Sequence, residues 1–291
     1  MNIIMHLLPV RLFTRDKLQI VVFLLISTWC LTYNCVYAQT VDYKYSYDDL
    51  ELSCPSDDME VERLYKVGLE ALNSPKYYNI AGKVFFSLIE RDKTLCDAYF
   101  FTGVALTKQD KHEAAVTYYY YADSLASKSN SVFKEELAEA ALRVGNIGLA
   151  RKKYEELIKD FPNDPDGYYG IGLTATSLGD IANGLQKLSI AEELYITENT
   201  WTEQRQQEVY LMKGILFIAD TQYEAGLEYL DKCQTTFNTL DDFNANYALA
   251  SDELFKETKN ESYKAKALEA LSRIKDKGKL NETFLKRFQD K

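Results

Sequence analysis

Apolar and small residues recur along this chain at a helical spacing, and the helical segments themselves recur at a longer one. Small residues stand at Gly68, Gly103, Ala138, Gly172 and Gly214, separated by 35, 35, 34 and 42 positions. A second row runs Ala81, Ala115, Ala150, Gly184 and Gly226, at 34, 35, 34 and 42. Four residues after each member of the second row comes a large apolar side chain: Phe85, Tyr119, Tyr154, Leu188 and Leu230. Three further on stand Leu88, Ala122, Leu157, Ala191 and Cys233. This i, i+4, i+7 spacing is one face of a helix, and the small residue at its head lets a neighbouring helix approach closely. Each unit is therefore predicted to be two helices with a turn between them. "TKQDKHE", "RVGNIGL" and "TSLGDIA" mark three of the turns, and in two of them Gly145 or Gly179 supplies a helix-ending residue.

The pattern resembles the tetratricopeptide repeat family, whose unit is a helix-turn-helix of about 34 residues. Residues 131–164 carry Leu137, Ala138, Ala141, Ala150, Tyr154, Leu157 and Pro162 where the family places its packing residues. Residues 165–194 carry Tyr168, Ile171, Gly172, Ala175, Gly184, Leu188 and Ala191 in the same places. The resemblance implies an all-α fold, a right-handed superhelix (α-solenoid) of antiparallel helix pairs. Its repeat domain is expected over 61–276, with units near 61–95, 96–130, 131–164, 165–206, 207–240 and 241–276. A largely irregular leader at 39–60 precedes it, and a cap or tail at 277–291 follows, where "NETFLKRF" reads as a short helix with Asn281 at its N-cap. The eight extra residues after Pro165 predict a longer second helix or a protruding loop around Trp201, and "KETKNES" predicts a long connection in the last unit.

Members of that family bind along the concave surface lined by the first helix of each unit. Carried across by position, the resemblance implies a partner-binding groove of Tyr65, Leu69, Phe100, Val104, Glu135, Glu139, Tyr169, Leu173, Leu211 and Ile215. None of these units carries the Lys and Asn with which carboxylate-clamp members hold a peptide C-terminus. The groove instead offers aromatic and aliphatic surface with an acidic patch. It fits an apolar or aromatic-rich partner segment, unless the same side chains pack between adjacent first helices. The competing function is glycan or small-molecule binding on Phe100 and Tyr169. Corresponding helices of stacked units run about 8–10 Å apart, which brings Cys54, ahead of the first helix, near Cys96 at the start of the next first helix. The pair forms either a disulfide or two free thiols. Cys233 falls at a packing position and His112 at the start of a second helix, where solvent exposure is expected.

The run Tyr118-Tyr119-Tyr120-Tyr121 cannot all face one core, because successive helical residues point about 100° apart. Tyr119 is expected inside between Ala115 and Ala122, Tyr118 beside it, and Tyr120 and Tyr121 outside.

The N-terminus changes the setting. Arg11, Arg15 and Lys17 precede the apolar "LQIVVFLLISTWCL", and "VYAQT" follows with small residues at Val36 and Ala38. That order predicts a secretory signal at 1–38, cleaved after Ala38. An uncleaved anchor or a lipidated Cys35 is the alternative. The expected location is the periplasm or cell envelope, with any membrane association made through a partner; the "YAQT" junction and the tyrosine-rich chain resemble exported proteins of Bacteroidota-type bacteria. The leader's Arg11, Arg15, Lys17 and Asp16 carry a net +2, so its loss takes the formal charge from −10 to −12. So acidic a chain with no basic cluster makes nucleic acid an unsuitable partner. With His112 the one histidine after cleavage, and Cys54, Cys96 and Cys233 spaced 42 and 137 apart, no metal site or nucleophilic triad assembles from the usual parts. Phosphate-binding glycine motifs are missing too, and Glu135 and Glu139 read as solvated charge rather than as paired catalytic carboxylates. The expectation is a non-enzymatic protein-binding or scaffolding module without a cofactor.

Overall fold

The computed structural model describes residues 52–276. The predicted signal segment, most of the leader, Cys35 and the 277–291 cap lie outside the described residues. Among the described residues the elements are α-helices and one short 3-10 turn at Pro75–Tyr77, with no strand. The helices come in pairs: α1 (Met59–Leu72) with α2 (Tyr78–Arg91), α3 (Cys96–Thr107) with α4 (His112–Leu125), and α5 (Ser131–Arg143) with α6 (Ile147–Asp160). They continue as α7 (Pro165–Leu178) with α8 (Ile181–Thr197), α9 (Glu203–Ala219) with α10 (Tyr223–Phe237), and α11 (Asp241–Thr258) with α12 (Glu261–Arg273). Each helix packs on the next in the chain, which is the arrangement of an α-solenoid.

Local chemistry sets the ends. The side chains of Asp58, Asn130, Asn146, Asp164, Thr202 and Asn260 each accept from a first-turn amide of the helix that follows, satisfying donors that the helix itself leaves unpaired. Inside four pairs the turn passes through a left-handed residue at equivalent positions: Asp110, Gly145, Gly179 and Thr221, with φ of 58°, 74°, 69° and 62°. Glycine is therefore a convenience at this turn, since aspartate and threonine adopt the same conformation.

The two rows of small and large residues are the packing code within pairs. A Cβ added to Gly68, Gly103, Gly172 or Gly214 would stand 2.5, 2.7, 2.5 and 2.6 Å from Phe85, Tyr119, Leu188 and Leu230 respectively. Each large side chain fills the space its paired glycine leaves open. Ala138 and Tyr154 are buried in one cluster, and the Tyr154 ring also fills the space left by Gly170 of the next unit, 2.1 Å from where its Cβ would stand. The second helices bury one stripe, such as Ala115, Tyr119 and Ala122 on α4. Inner first helices such as α3, α7 and α11 are enclosed almost all round; on α7, residues 169–176 are all buried. Such a first helix lies between its own partner and the neighbouring pairs, whereas a second helix, like α1 at the start of the described residues, keeps an outer face.

Extra residues lengthen helices instead of loops. α8 and α9 have 17 residues each, and Trp201 between them stacks on Tyr195 and meets Tyr210 edge-on at 6.2 Å. The aromatic anchor holds that connection down, so it does not protrude. In the last pair, α11 runs 18 residues to Thr258, Lys259 turns left-handed and Asn260 caps α12, so the connection there is short.

Candidate functional site

The structure places most of the expected groove in the core. Tyr65, Phe100, Val104, Glu135, Tyr169, Leu173, Leu211 and Ile215 are buried, while Leu69 and Glu139 are half-buried. Phe100, 1% exposed, stacks on Phe133 of the next first helix with ring centroids 4.7 Å apart. Tyr65 packs against Phe85 and Phe101, both at 6.2 Å. These rings therefore join adjacent first helices, which corrects their assignment as partner anchors. The same burial removes Phe100 and Tyr169 as a glycan platform, because a sugar needs an open ring face.

One row of accessible positions repeats at the C-terminal ends of the first helices. Lys108, Arg143 and Ser177 occupy equivalent positions 35 and 34 residues apart, and all three are half-buried. Glu139 makes an ion pair with Arg143 at 3.6 Å. The Lys108 ammonium lies 4.9 Å from the centre of the Tyr78 ring, and partial burial lowers its pKa to about 8 against the opposing pull of Glu136. His112 starts α4 nearby and departs from the expected exposure: its Nδ1 is buried. Desolvation, then the Arg143 charge, lowers its pKa.

Charged side chains that look like surface residues in the sequence tie pair to pair. Lys134 of α5 donates to Asp123 of α4 and Glu156 of α6 at 3.0 and 3.2 Å, and Lys153 reaches the same two carboxylates at 2.6 and 2.7 Å. Arg151 of α6 donates to Thr174 of α7 at 2.7 Å and to Asp180 at 3.1 Å. Arg205 of α9 sits 5.0 Å from the centres of both the Tyr169 and Tyr195 rings, with Asp166 at 3.5 Å and Glu208 at 2.9 Å. Tyr195 donates its hydroxyl to Asp166 at 2.5 Å. Lys213 pairs with Glu192. Their one sequence signal is position: Lys153 directly precedes the packing residue Tyr154, and Lys213 directly precedes Gly214.

A third cluster gathers ahead of α1. Cys54 and Cys96 form a disulfide with Cα atoms 5.6 Å apart. The Asp97 carboxylate accepts from the amides of Cys54 at 2.7 Å and Ser53 at 3.1 Å. Burial pushes the Asp97 carboxyl up from its ordinary range, against the pull of those two amides. Asn130 donates to the Ser53 hydroxyl at 2.6 Å. Two sulfurs bonded to each other offer no thiolate, so these residues cannot hold a metal while the bridge stands. Cys233 is fully buried, and burial pushes its thiol up to about 12, so it stays protonated and unreactive.

The tyrosine run divides by exposure. Tyr119 is buried and Tyr118 half-buried, while Tyr120 and Tyr121 are 51% and 49% exposed. Tyr99 of α3 joins the outer rings, 5.5 Å from Tyr121. Among the described residues no helix is long and apolar enough to cross a membrane.

No curated protein matches this chain in sequence. Structural likeness is broader. The crystal structure of the APC/C hetero-tetramer Cut9–Hcn1 aligns at 17% identity and a TM-score of 0.58, over 78% of this chain and 42% of that one. The chain thus spans less than half of that relative's length. A tetratricopeptide repeat protein from Parabacteroides merdae aligns at 16% identity and a TM-score of 0.57, covering 77% and 83% of the two chains. Pseudomonas aeruginosa pilF aligns at 15% identity and a TM-score of 0.52, covering 70% and 88%. At such identities the likeness concerns fold alone. In sequence, residues 135–198 match the tetratricopeptide repeat family, across the two units whose packing residues follow the pattern most fully, and the helices around them form a tetratricopeptide-like α-solenoid.

Proposed function

We propose that this chain is a non-enzymatic protein–protein interaction module of the cell envelope, exported by the signal at 1–38, that receives a partner segment along its first helices. The tetratricopeptide fold in general mediates protein–protein interactions, and one structural neighbour was solved as a hetero-tetramer. The observation that carries the reading is the row of equivalent half-buried positions at the C-terminal ends of successive first helices, Lys108, Arg143 and Ser177, with Glu139 beside them. Such a row reads a partner one repeat at a time. Charged and polar groups there supply orientation, while the buried rings beneath supply rigidity and no contact area.

The test is capture from envelope extracts by the intact chain and by a Lys108→Glu, Glu139→Lys double variant of matched thermal stability. One protein recovered by the intact chain and lost by the variant supports the site. Equal recovery by both moves binding off this face, with the exposed Tyr120 and Tyr121 as the next place to mutate. A signal from glycan arrays with no protein captured would replace the reading with carbohydrate binding.

A further inference from the structure

Residues 52–58 form a bent strap ahead of α1, and its ties to the array converge on two adjacent residues. Cys54 is bonded to Cys96 at the start of α3, the Asp97 carboxylate accepts from the amides of both Ser53 and Cys54, and Asn130 donates to the Ser53 hydroxyl. The two sulfurs of the bridge are not equivalent. Cys96 is 0% exposed, whereas Cys54 is half-buried. Thiol–disulfide exchange proceeds by attack on one sulfur while the other leaves, and access helps to decide which. Here access selects Cys54 as the sulfur attacked and Cys96 as the one that leaves. A thiolate left in that buried place would lack water to solvate it, and Oδ2 of Asp97 lies only 3.8 Å from its sulfur. An ionised Asp97 would repel the departing charge, while a protonated one could neutralise it. Burial already favours the protonated form, against the pull of the two strap amides. The Tyr65 phenol faces Asp97 from α1, and desolvation, then the Asp97 charge, keeps it neutral.

We propose that the bridge is an exchangeable latch: the thiolate of a dithiol reductant attacks Sγ of Cys54, the bond to Cys96 breaks, and Asp97 passes its proton to the departing Cys96 sulfur. The attacker's electron pair makes the new sulfur–sulfur bond, and the pair of the old bond leaves on Cys96, which the proton turns into a thiol. The dithiol's second thiolate then displaces Cys54, which takes a proton from solvent. The dithiol ends as a cyclic disulfide and the bridge as two thiols. Re-oxidation runs the same steps backwards, with Asp97 as the base that takes the Cys96 proton. Once the bridge opens, the Ser53 and Cys54 amides separate from Asp97 and the strap lifts. The helices beneath keep their caps, because Asn130 still accepts from the Phe133 amide and Asp58 from that of Glu60. The inference concerns the chain alone, so it stands or falls separately from the protein-binding reading.

Sulfite, standing in for the attacking thiolate, tests both the sulfur and the proton. The oxidised full chain is incubated with sulfite under native conditions, quenched with a maleimide in denaturant and mapped by mass spectrometry. The expected S-sulfonate falls on Cys54 and the maleimide on Cys96, with the reverse pattern at least about tenfold rarer. An even split, S-sulfonate mainly on Cys96, or no cleavage without denaturant would overturn the proposal. The cleavage rate per sulfite dianion should rise at least about fivefold as pH falls from about 8 to about 5.5, as the buried carboxyl takes up its proton. In an Asp97→Asn variant that circular dichroism shows to be folded, the same rate should stay flat within about twofold. A strap that was merely loosened would be cleaved faster at every pH alike. A flat profile in the native chain, or a rise that survives the substitution, would overturn the role of Asp97; if the variant does not fold, the native chain's profile alone decides. Hydrogen exchange on the reduced chain checks the release: the Ser53 and Cys54 amides should lose protection while that of Phe133 keeps it. Protection retained at Ser53 and Cys54 would overturn the latch.

Discussion

A Cβ placed on Gly103 would stand 2.7 Å from Cδ1 of the Tyr119 ring, nearer than packed side chains approach one another. The atom concerned lies near the root of the ring, not at a flexible tip, so the ring cannot swing aside cheaply. Tyr119 also bonds Thr107 through its hydroxyl at 3.2 Å, which holds it from the other end. Gly103→Ala is therefore expected to destabilise the protein by about 1–3 kcal/mol, as overpacking does. Gly148→Ala on α6 is the contrast, since nothing lies within 4 Å of its added Cβ. That change should stabilise by about 0.5–1 kcal/mol through helix propensity. Urea denaturation of both variants checks the pair, and equal midpoints would contradict the packing code.

Arg205 holds three helices together through Tyr169, Tyr195 and Asp166. Removing one partner of a buried pair leaves the other charge stranded, so Arg205→Ala should cost about 3–5 kcal/mol. Tyr195→Phe loses one hydrogen bond to a carboxylate and should cost about 1.5–3 kcal/mol. Chemical denaturation of the two variants should rank them in that order.

His112 makes stability depend on mild acid. Its imidazole faces Arg143, Asp110 and Glu113, and burial comes first among the causes that lower its folded pKa below 6.5. The unfolded chain then binds more protons than the folded one just below 6.5, so stability is lost as pH falls through that window. Above 6.5 both states are neutral at this site and the effect vanishes. His112→Gln should flatten the slope of unfolding free energy between about pH 5 and 6.5. A slope unchanged by the substitution would assign the acid response to other groups.

The Cys54–Cys96 bridge closes a loop of sequence separation 42. Loops of that length are expected to gain about 3–4 kcal/mol from restriction of the unfolded chain. Reduction, or the Cys54→Ser, Cys96→Ser change, should lower the thermal midpoint by several degrees, measured by calorimetry with and without a phosphine reductant. An identical midpoint would mean that the Asp97 and Asn130 bonds hold the strap unaided.

The fold was legible because spacing alone identifies which residues share a helix face. Gly68 with Phe85 and Gly172 with Leu188 could be paired from the sequence, since the offset is 17 residues in the first unit and 16 in the next four. The site was less legible. Phe100 and Tyr169 fall where the family exposes its binding residues, yet large aromatic rings in that row fill the gap to the next first helix and close it. Lys134, Lys153 and Arg205 look like solvated charge in one dimension, because their partners on neighbouring helices lie 11 or more residues away in sequence.

The sequence by itself determined the helix pairs, the turns between them and the small-to-large packing within each pair, all of which depend on periodicity and residue size. Only the tertiary structure decided how pairs meet: which rings are buried at Phe100 and Phe133, which charges are enclosed around Asp123 and Asp166, and how Ser53 comes to rest on Asn130. Packing within a pair depends on residues at a nearly constant offset, whereas packing between pairs depends on the curvature of the stack, which sums small rotations over every repeat and is written in no single stretch of the chain.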